Sequence, residues 1–466
     1  MPDLARTSLS HDPVHGYVPF VSNTGLAEGE VSERQLIDHP WVQRLRQIHQ
    51  LQTAWWVYPS AEHTRFQHVL GVMHLAGRAA TALYASLREA CPDVPSPAYV
   101  ETLLRMAGLL HDVGHGPFGH FFDEHFLAQF GLTHETLGRA IIVDELGPLL
   151  RRVRRTPHGE LAADETLDPA HVALLIARPQ GSDDHETPRW LRFLRSLFCG
   201  LYTVDNMDFV LRDAFMSGFS ARAFDLERLL QYSFFSPSGL TIHARGLDAL
   251  IRFMGVRAEM FRSVYFHRTV RAIDLTLADL FAAGKELLFP GNPLERLGEY
   301  QRFTEWSLLV DVARWPQSED LRRRELGERW RQLLNRDVHW KMVCQRNLVF
   351  AAGPSERTSL FSRKTFVEQA LRESLPAHLR ELPLRIDLPR TIHRPGTRGP
   401  AAGQNFLYDP ARDLVRPLED DQLYRQLPGS HRLCRIYAES LDHAAELTAA
   451  LDELIGPLGL DDVTNM

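Results

Sequence analysis

A run from Leu103 to Leu110, apolar except for Arg105, ends directly on an adjacent His111–Asp112 pair, with His115 and His120 close behind. This stretch, Ala107-Gly-Leu-Leu-His-Asp-Val-Gly-His-Gly-Pro-Phe-Gly-His120, constrains the chain more than any other. Neutral imidazole and carboxylate both ligate divalent metals, and imidazole also suits proton transfer near neutral pH. Two side chains cannot enclose a metal, so further ligands have to come from elsewhere. His68, in Thr64-Arg-Phe-Gln-His-Val-Leu-Gly71, and Asp205, in Val204-Asp-Asn-Met-Asp-Phe-Val-Leu-Arg-Asp213, are the candidates. The plain alternative for His68 is a core histidine, given Val69 and Leu70 beside it. For Asp205 it is a helix-surface carboxylate, but Val204 and Met207 argue for burial, and a buried carboxylate needs a partner.

The surrounding text is that of a soluble helical protein. A chain of 466 residues can bury a large core and ordinarily divides into two or three domains. Hydrophobic residues make up 44% and charged residues 24%, as in ordinary globular proteins. The net charge of -7 provides no basic field that would make nucleic acid an obligatory partner. Arg151-Arg-Val-Arg-Arg155 and Arg322-Arg-Arg324 read as exposed helix ends or loops. Cys91, Cys199, Cys344 and Cys434 lie far apart with no CxxC spacing, so reduced thiols and a cytoplasmic setting are expected. Met1 to Gly16 lacks the apolar core of a signal peptide, and no run approaches the ~20 residues of a membrane span.

Residues 1–31 are turn-rich and predict a short strand pair over the helices. Ser32 with Gln35 reads as a capping box, and Pro40 as the start of a helix from Trp41 to Leu51. Helices are expected over 62–90, 97–112, 118–130, 134–145, 190–217 and 246–287, with more up to Leu334. Residues 151–170 and 178–188 read as loops, and Phe235 to His243 as a hairpin. Gly114 and Gly116-Pro117 end the His111 helix and are expected to let the backbone approach whatever the metal holds. After 345 short apolar runs predict strands, followed by a helix over 441–454, with Gly396 to Gly403 as a linker. The expected fold is mainly α, a helical catalytic body over 1–345 with a small α+β lobe over 346–466.

His68, His111-Asp112 and Asp205 resemble the four ligands of the HD-domain phosphohydrolases. The wording around them is most similar to the deoxynucleoside triphosphate triphosphohydrolases. The likeness runs through Asp12-Pro-Val-His-Gly16, Gln43 to Leu51, Arg65-Phe-Gln-His68, Leu109 to Phe122, Thr133-His-Glu135, Val204 to Asp213 and Arg257 to Arg268. It returns at Leu433 to Glu439. No SAM domain is expected ahead of it. The resemblance implies a divalent ion (Mn, Fe, Mg or Zn) and attack of metal-bound hydroxide on the α-phosphate of a dNTP, giving deoxynucleoside and triphosphate. It implies His120 as general acid, Asp123 as its orienting partner, and His134 and Glu135 assisting. Arg65 and His115 would hold the α-phosphate, and Gln50, Leu51, Asp213 and Tyr265 would surround the sugar. Arg257 and Arg268 would reach the triphosphate, while Asp38, Gln43, Arg46 and Arg245 are similar to a regulatory nucleotide site. A homo-oligomer, dimer or tetramer, would follow.

Taken singly, several of these residues have a structural alternative: Asp123 as a helix cap, Tyr265 as a core aromatic, Asp38 and Arg46 as simple caps. The sequence also departs from the family. Asn206 stands where a Lys is expected and Phe209 where a Tyr is expected, and Phe234 and Leu247 replace charges of the regulatory site. A shorter ester, a nucleoside monophosphate or cyclic nucleotide, is therefore the rival substrate. A nucleotide- or nucleic-acid-binding module that kept its metal is the rival class, though such a module has no use for an acid.

Overall fold

The computed structural model describes residues 4–177, 187–350, 359–392 and 405–455, so the expected linker from Gly396 to Gly403 lies outside the described residues. The N-terminal text forms the antiparallel pair β1 (Thr7–Asp12) and β2 (Gly16–Val21). Ser32 caps α1 (Glu33–Ile37), with Gln35 completing the capping box as its side chain accepts from the Ser32 N–H. Pro40 opens α2 (Pro40–Gln43), but the single helix expected to reach Leu51 does not form. The chain tightens into a 3₁₀ turn over Arg44–Gln47 and then extends, with Ile48 at φ -134°. Tertiary partners decide this. The extended segment lets Ile48 O accept from the Arg65 N–H and the Gln50 N–H donate to His63 O, bonds that a helix would forgo.

Helices α3 (Arg65–Ala90) and α4 (Pro97–Leu110) pack against each other at the centre of the first compact unit. A Cβ on Gly108 would lie 2.9 Å from the backbone of Val72 and Met73, so the two helices meet there at backbone distance. The chain continues through α5 (His120–His125), α6 (His134–Ala140) and a π-helical turn over Ile141–Glu145. Next come α7 (Gly147–Leu150), the pair β3 (Arg155–Thr156) and β4 (Gly159–Glu160), and α8 (Pro169–Ile176), where loops were expected up to residue 170. The helix expected over 190–217 is two, α9 (Arg189–Arg195) and α10 (Val204–Met216), because Thr203 caps a fresh start. After α11 (Leu226–Gln231) comes the expected hairpin, β5 (Ser233–Ser236) and β6 (Gly239–His243). The long helix that follows is interrupted: α12 (Leu247–Met260), a π turn over Phe261–Tyr265, then α13 (Arg268–Leu288).

The C-terminal strands are β7 (Lys341–Phe350), β8 (Leu384–Asp387), β9 (Arg390–Ile392), β10 (Phe406–Asp409), β11 (Leu414–Pro417) and β12 (Ser430–Ala438). In the second unit β12 is central, pairing antiparallel with β7 on one side and with β8 and β9 on the other. Its core joins Leu384, Ile386, Cys434 and Ile436 to Val367, Leu371, Leu447 and Leu451 from two helices, the small α+β lobe of a mainly α chain. The compact units interleave in sequence. The first comprises Met1–Met260, Lys285–Val312 and Pro395–Arg425; the second comprises Phe261–Gly284, Ala313–Arg394 and Gln426–Met466. The 345/346 boundary read from the sequence falls inside the second unit, within β7, while β10 and β11 extend the β5–β6 hairpin of the first, β10 lying parallel to β6. Among the described residues no helix is long and apolar enough to cross a membrane.

One buried ion pair fastens the N-terminal strands to this core. Arg105 of α4 donates to both carboxylate oxygens of Glu33, at 2.6 and 2.8 Å, and to Pro19 O at 2.8 Å; Val21 N–H donates to the same Glu33. Removing one partner strands a buried charge. Glu33→Ala is therefore expected to lower the unfolding free energy by about 3–5 kcal/mol. Denaturant unfolding checks this; a loss below about 1 kcal/mol would class the pair with exposed ones.

Candidate metal and phosphate site

Three helices bring the four expected ligands together, His68, His111 and Asp112 as one cluster with Asp205 beside the two rings. His68 stands in the first turn of α3, His111 and Asp112 follow the last residue of α4, and Asp205 opens α10. His68 Nε2 lies 3.2 Å from His111 Nε2, 3.1 Å from Asp205 Oδ1 and 4.0 Å from Asp112 Oδ2. His111 Nε2 lies 3.4 Å from Asp112 Oδ1 and 3.8 Å from Asp205 Oδ1. Such separations suit neighbouring ligands of one cation with bonds of about 2.0–2.2 Å.

Hydrogen bonding on the far side of each ring makes the case stronger. His68 Nδ1 donates to Asp208 Oδ2 at 2.8 Å, and His111 Nδ1 donates to Gly108 O at 2.8 Å. Carboxylate and carbonyl only accept, so both neutral rings carry their proton on Nδ1 and turn an Nε2 lone pair toward the other. Two facing lone pairs beside two carboxylates call for a cation. Burial lowers the proton affinity of His68, yet its bonds to Asp205 and Asp208 push its pKa up to about 10. Burial would likewise raise the Asp112 pKa, but His111 and Arg65 hold it well below the carboxylate range. The donor set fits a divalent ion, which takes the place of that proton.

A second cluster adjoins the first through His115. Its ring stacks on His134, centroids 3.8 Å apart and planes within 13°, and its Nε2 lies 3.4 Å from Asp112 Oδ1 without hydrogen-bond geometry. Burial, then Arg65 and His134, push its pKa far down, so the imidazole is neutral. Asp123 Oδ2 accepts from His120 Nδ1 at 3.3 Å and, more closely, from His134 Nδ1. Burial raises its pKa, but these two rings keep the carboxyl ionised far below its ordinary range. The His120 side chain is 63% exposed, against 15% for His134. Glu135 follows in the first turn of α6.

Arg65 links the clusters, its Nη1 donating to Asp112 Oδ2 at 2.7 Å while its buried Nε has no hydrogen-bond partner. Gly119, at φ 57°, makes room for it: a Cβ there would sit 2.2 Å from Arg65 Nη2. The other glycines serve packing, which corrects the reading from sequence. A Cβ on Gly114 would meet His134 O at 2.0 Å, and one on Gly116 would meet the Phe122 ring at 2.5 Å. They bring the histidine loop against α6 and Phe122. Arg44, not singled out by sequence, holds that loop from behind, its buried guanidinium donating to Val113 O (3.3 Å) and His115 O (2.7 Å) as well as to Tyr300 O and Phe303 O. Sequence reasoning also missed Asp208, whose signal was its i+3 spacing from Asp205.

Of the expected substrate residues, Gln50 has a buried Oε1 without a hydrogen-bond partner, Leu51 is buried, and Asp213 Oδ1 accepts from His63 Nε2 at 2.7 Å. Arg257 lies on α12, whereas Tyr265 and Arg268 belong to the second unit. In the regulatory set, Gln43 Oε1 accepts from Arg46 Nε at 2.8 Å, the Arg46 guanidinium sits 3.6 Å over the Phe66 ring, and Asp38 lies 3.5 Å from Arg34. Arg245 is exposed at the end of β6, Leu247 is buried, and Phe234 packs on Tyr408.

The fold and the His/Asp cluster are those that an HD domain, a binder of divalent metal, would present. Residues 65–173 match the HD domain family model, and the chain is similar to HD-domain dNTPases. The uncharacterised Bacillus subtilis protein YwfO is 28% identical over 84% of this chain and 83% of its own length. The deoxynucleoside triphosphate triphosphohydrolase SAMHD1 homologue of Dictyostelium discoideum is 27% identical over 68% of this chain and 57% of its own, and human SAMHD1 28% identical over 58% and 44%. The chain thus spans about half the length of these triphosphohydrolase relatives. A hypothetical Aquifex aeolicus protein of known crystal structure shares the fold, with a TM-score of 0.67 at 23% identity over 96% of this chain and all of that one.

Asp112→Ala removes a ligand and the Arg65 anchor together. It is expected to abolish hydrolysis and lower the metal content of the purified protein, by elemental analysis, with helical circular dichroism retained. Unchanged metal content would sink the ligand set.

Proposed function

We propose that this protein is a metal-dependent deoxynucleoside triphosphate triphosphohydrolase, splitting a dNTP at its α-phosphate into deoxynucleoside and triphosphate. The observation that carries the reading is the junction at His115, where a cation-binding ligand set meets an Asp-held histidine pair suited to moving protons. Similarity to the triphosphohydrolases supports the substrate class.

His68, His111, Asp112 and Asp205 would hold a divalent ion, which would supply Lewis acidity for activating water and drawing charge from the phosphate. The chain's own groups do the rest. Arg65 Nε and an N–H of His115 are buried donors awaiting acceptors, the role that α-phosphate oxygens fill. Gln50 Oε1 is a buried acceptor awaiting a donor, as a sugar hydroxyl provides, with Leu51 beside it as an apolar wall. A 2′-hydroxyl against that wall would be left unpaired, which disfavours ribonucleotides. Asp213, held by His63, borders the sugar. Asp123 accepts from His120 Nδ1 and would stabilise the imidazolium form of that ring, whose exposed Nε2–H would protonate the departing 5′-oxygen and leave the neutral imidazole. His134, stacked on His115, assists at the phosphate. Arg257 reaches toward the outer phosphates.

Positioned acid catalysis is typically worth about 10²–10⁴ in rate. His120→Ala is expected to lose activity in that range while keeping its metal. Turnover within about threefold of wild type, far short of that effect, would move the role to His134, which makes the shorter bond to Asp123.

A second reading, hydrolysis of deoxynucleoside monophosphates, draws on Asn206 and Phe209. A missing Lys removes a charge-assisted contact worth roughly 1.5–3 kcal/mol, or about 10- to 150-fold in triphosphate affinity. Asn206→Lys is therefore expected to lower KM for dNTPs. Product chromatography, with phosphate release measured before and after adding pyrophosphatase, separates the readings. Deoxynucleoside with triphosphate supports the first; hydrolysis of dNMPs but not dNTPs overturns it.

A further inference from the structure

The turn Asp12-Pro-Val-His-Gly16 has no part in the chemistry proposed above, yet it is wired to the ligand set. The node is Asp208, whose side chain is fully buried. Its Oδ2 accepts from His68 Nδ1 at 2.8 Å and Arg212 Nε at 2.9 Å; its Oδ1 accepts from His15 Nε2 at 2.7 Å and Arg212 Nη2 at 2.9 Å. Asp12 closes the ring. Its Oδ2 accepts from Arg212 Nη1 at 2.7 Å, and its Oδ1 accepts from the backbone N–H of Val14 and of His15 itself. Helix α3 seals the node from the remaining side: a Cβ on Gly71 would fall 1.9 Å from Asp208 Oδ1 and 2.3 Å from Arg212 Nη2. The carboxylate is thus held by α10, by the N-terminal turn and by the bare backbone of Gly71, with no other place to go.

We propose that Asp208 is the positioning residue for the ligand His68, and that the turn Asp12–Gly16, through His15, helps set the protein's affinity for its divalent ion. A ring ligates through Nε2 only when its proton sits on Nδ1 and its plane is fixed, and a carboxylate on that proton also makes the ring a stronger donor. Asp208 can do this only if its own orientation is fixed. Arg212 alone grips both oxygens from within α10, so it travels with the helix. His15 is the grip that comes from a different element, and it ties the ligand to the β1–β2 hairpin. A network that merely stabilised the fold would have no reason to terminate on a metal ligand.

The inference rests on the metal site but not on the triphosphate, and it is tested by binding of the metal alone. Wild type, Asp208→Asn, His15→Ala and His15→Gln are prepared metal-free and titrated with Mn²⁺ and, in parallel, Zn²⁺. Circular dichroism and thermal melting of the metal-free proteins establish folding. Asp208→Asn is expected to weaken binding by about 10- to 100-fold, and His15→Ala by about tenfold. His15→Gln, whose amide N–H can stand where Nε2–H stands, restores most of the affinity. If both losses are absent while melting temperatures fall, the network is structural and the proposal is overturned. Should Asp208→Asn not fold, the His15 pair decides by the same criterion. A wild type that binds neither ion removes the site itself, an outcome distinct from normal wild-type binding with unaltered variants.

Discussion

Two imidazoles that face each other with their lone pairs, flanked by a buried and a partly exposed carboxylate, form an arrangement that a positive charge holds together. Much of the first unit answers to that requirement. Gly108 brings α4 to backbone distance from α3, which sets the two rings 3.2 Å apart. Asp208 and the Gly108 carbonyl occupy the far nitrogens, so neither ring can turn its proton inward and satisfy its neighbour. Arg65, 2.7 Å from Asp112, supplies part of the needed charge. Arg44 is the complementary case, a buried cation whose counter-charge is a ring of backbone carbonyls, so that the loop carrying His115 is shaped around a guanidinium.

That His68, His111, Asp112 and Asp205 come together was legible because they are rare polar residues set in apolar text, and their order along the chain carries information that no single one does. Asp208 was not. A carboxylate three residues beyond a ligand and four before an arginine reads as an ordinary solvated helix face, and only the fold shows that this face points inward. The glycines misled for a related reason. Sequence shows that a backbone must come close to something at Gly114, but not whether that something is a ligand or helix α6. The helix over Trp41 to Leu51 failed because its local pattern competes with long-range bonds from Arg44 and Arg65, which propensity cannot weigh. The α+β character of the C-terminal region was readable from its alternating apolar runs.

What the linear text concealed most thoroughly is the order in which the parts can be completed. Strand β10 pairs parallel with β6, from which it is separated in sequence by most of the second unit. The first unit therefore remains one strand pair short while the ribosome works through the intervening chain, on the order of ten seconds or more at about 5–20 residues per second. During that interval the β6 edge presents unpaired backbone groups, a template for any other extended segment nearby. The nascent chain thus passes through a state with a strand-shaped vacancy, which a chaperone would have to shield and which a second copy, emerging from the same message, could fill with its own β10.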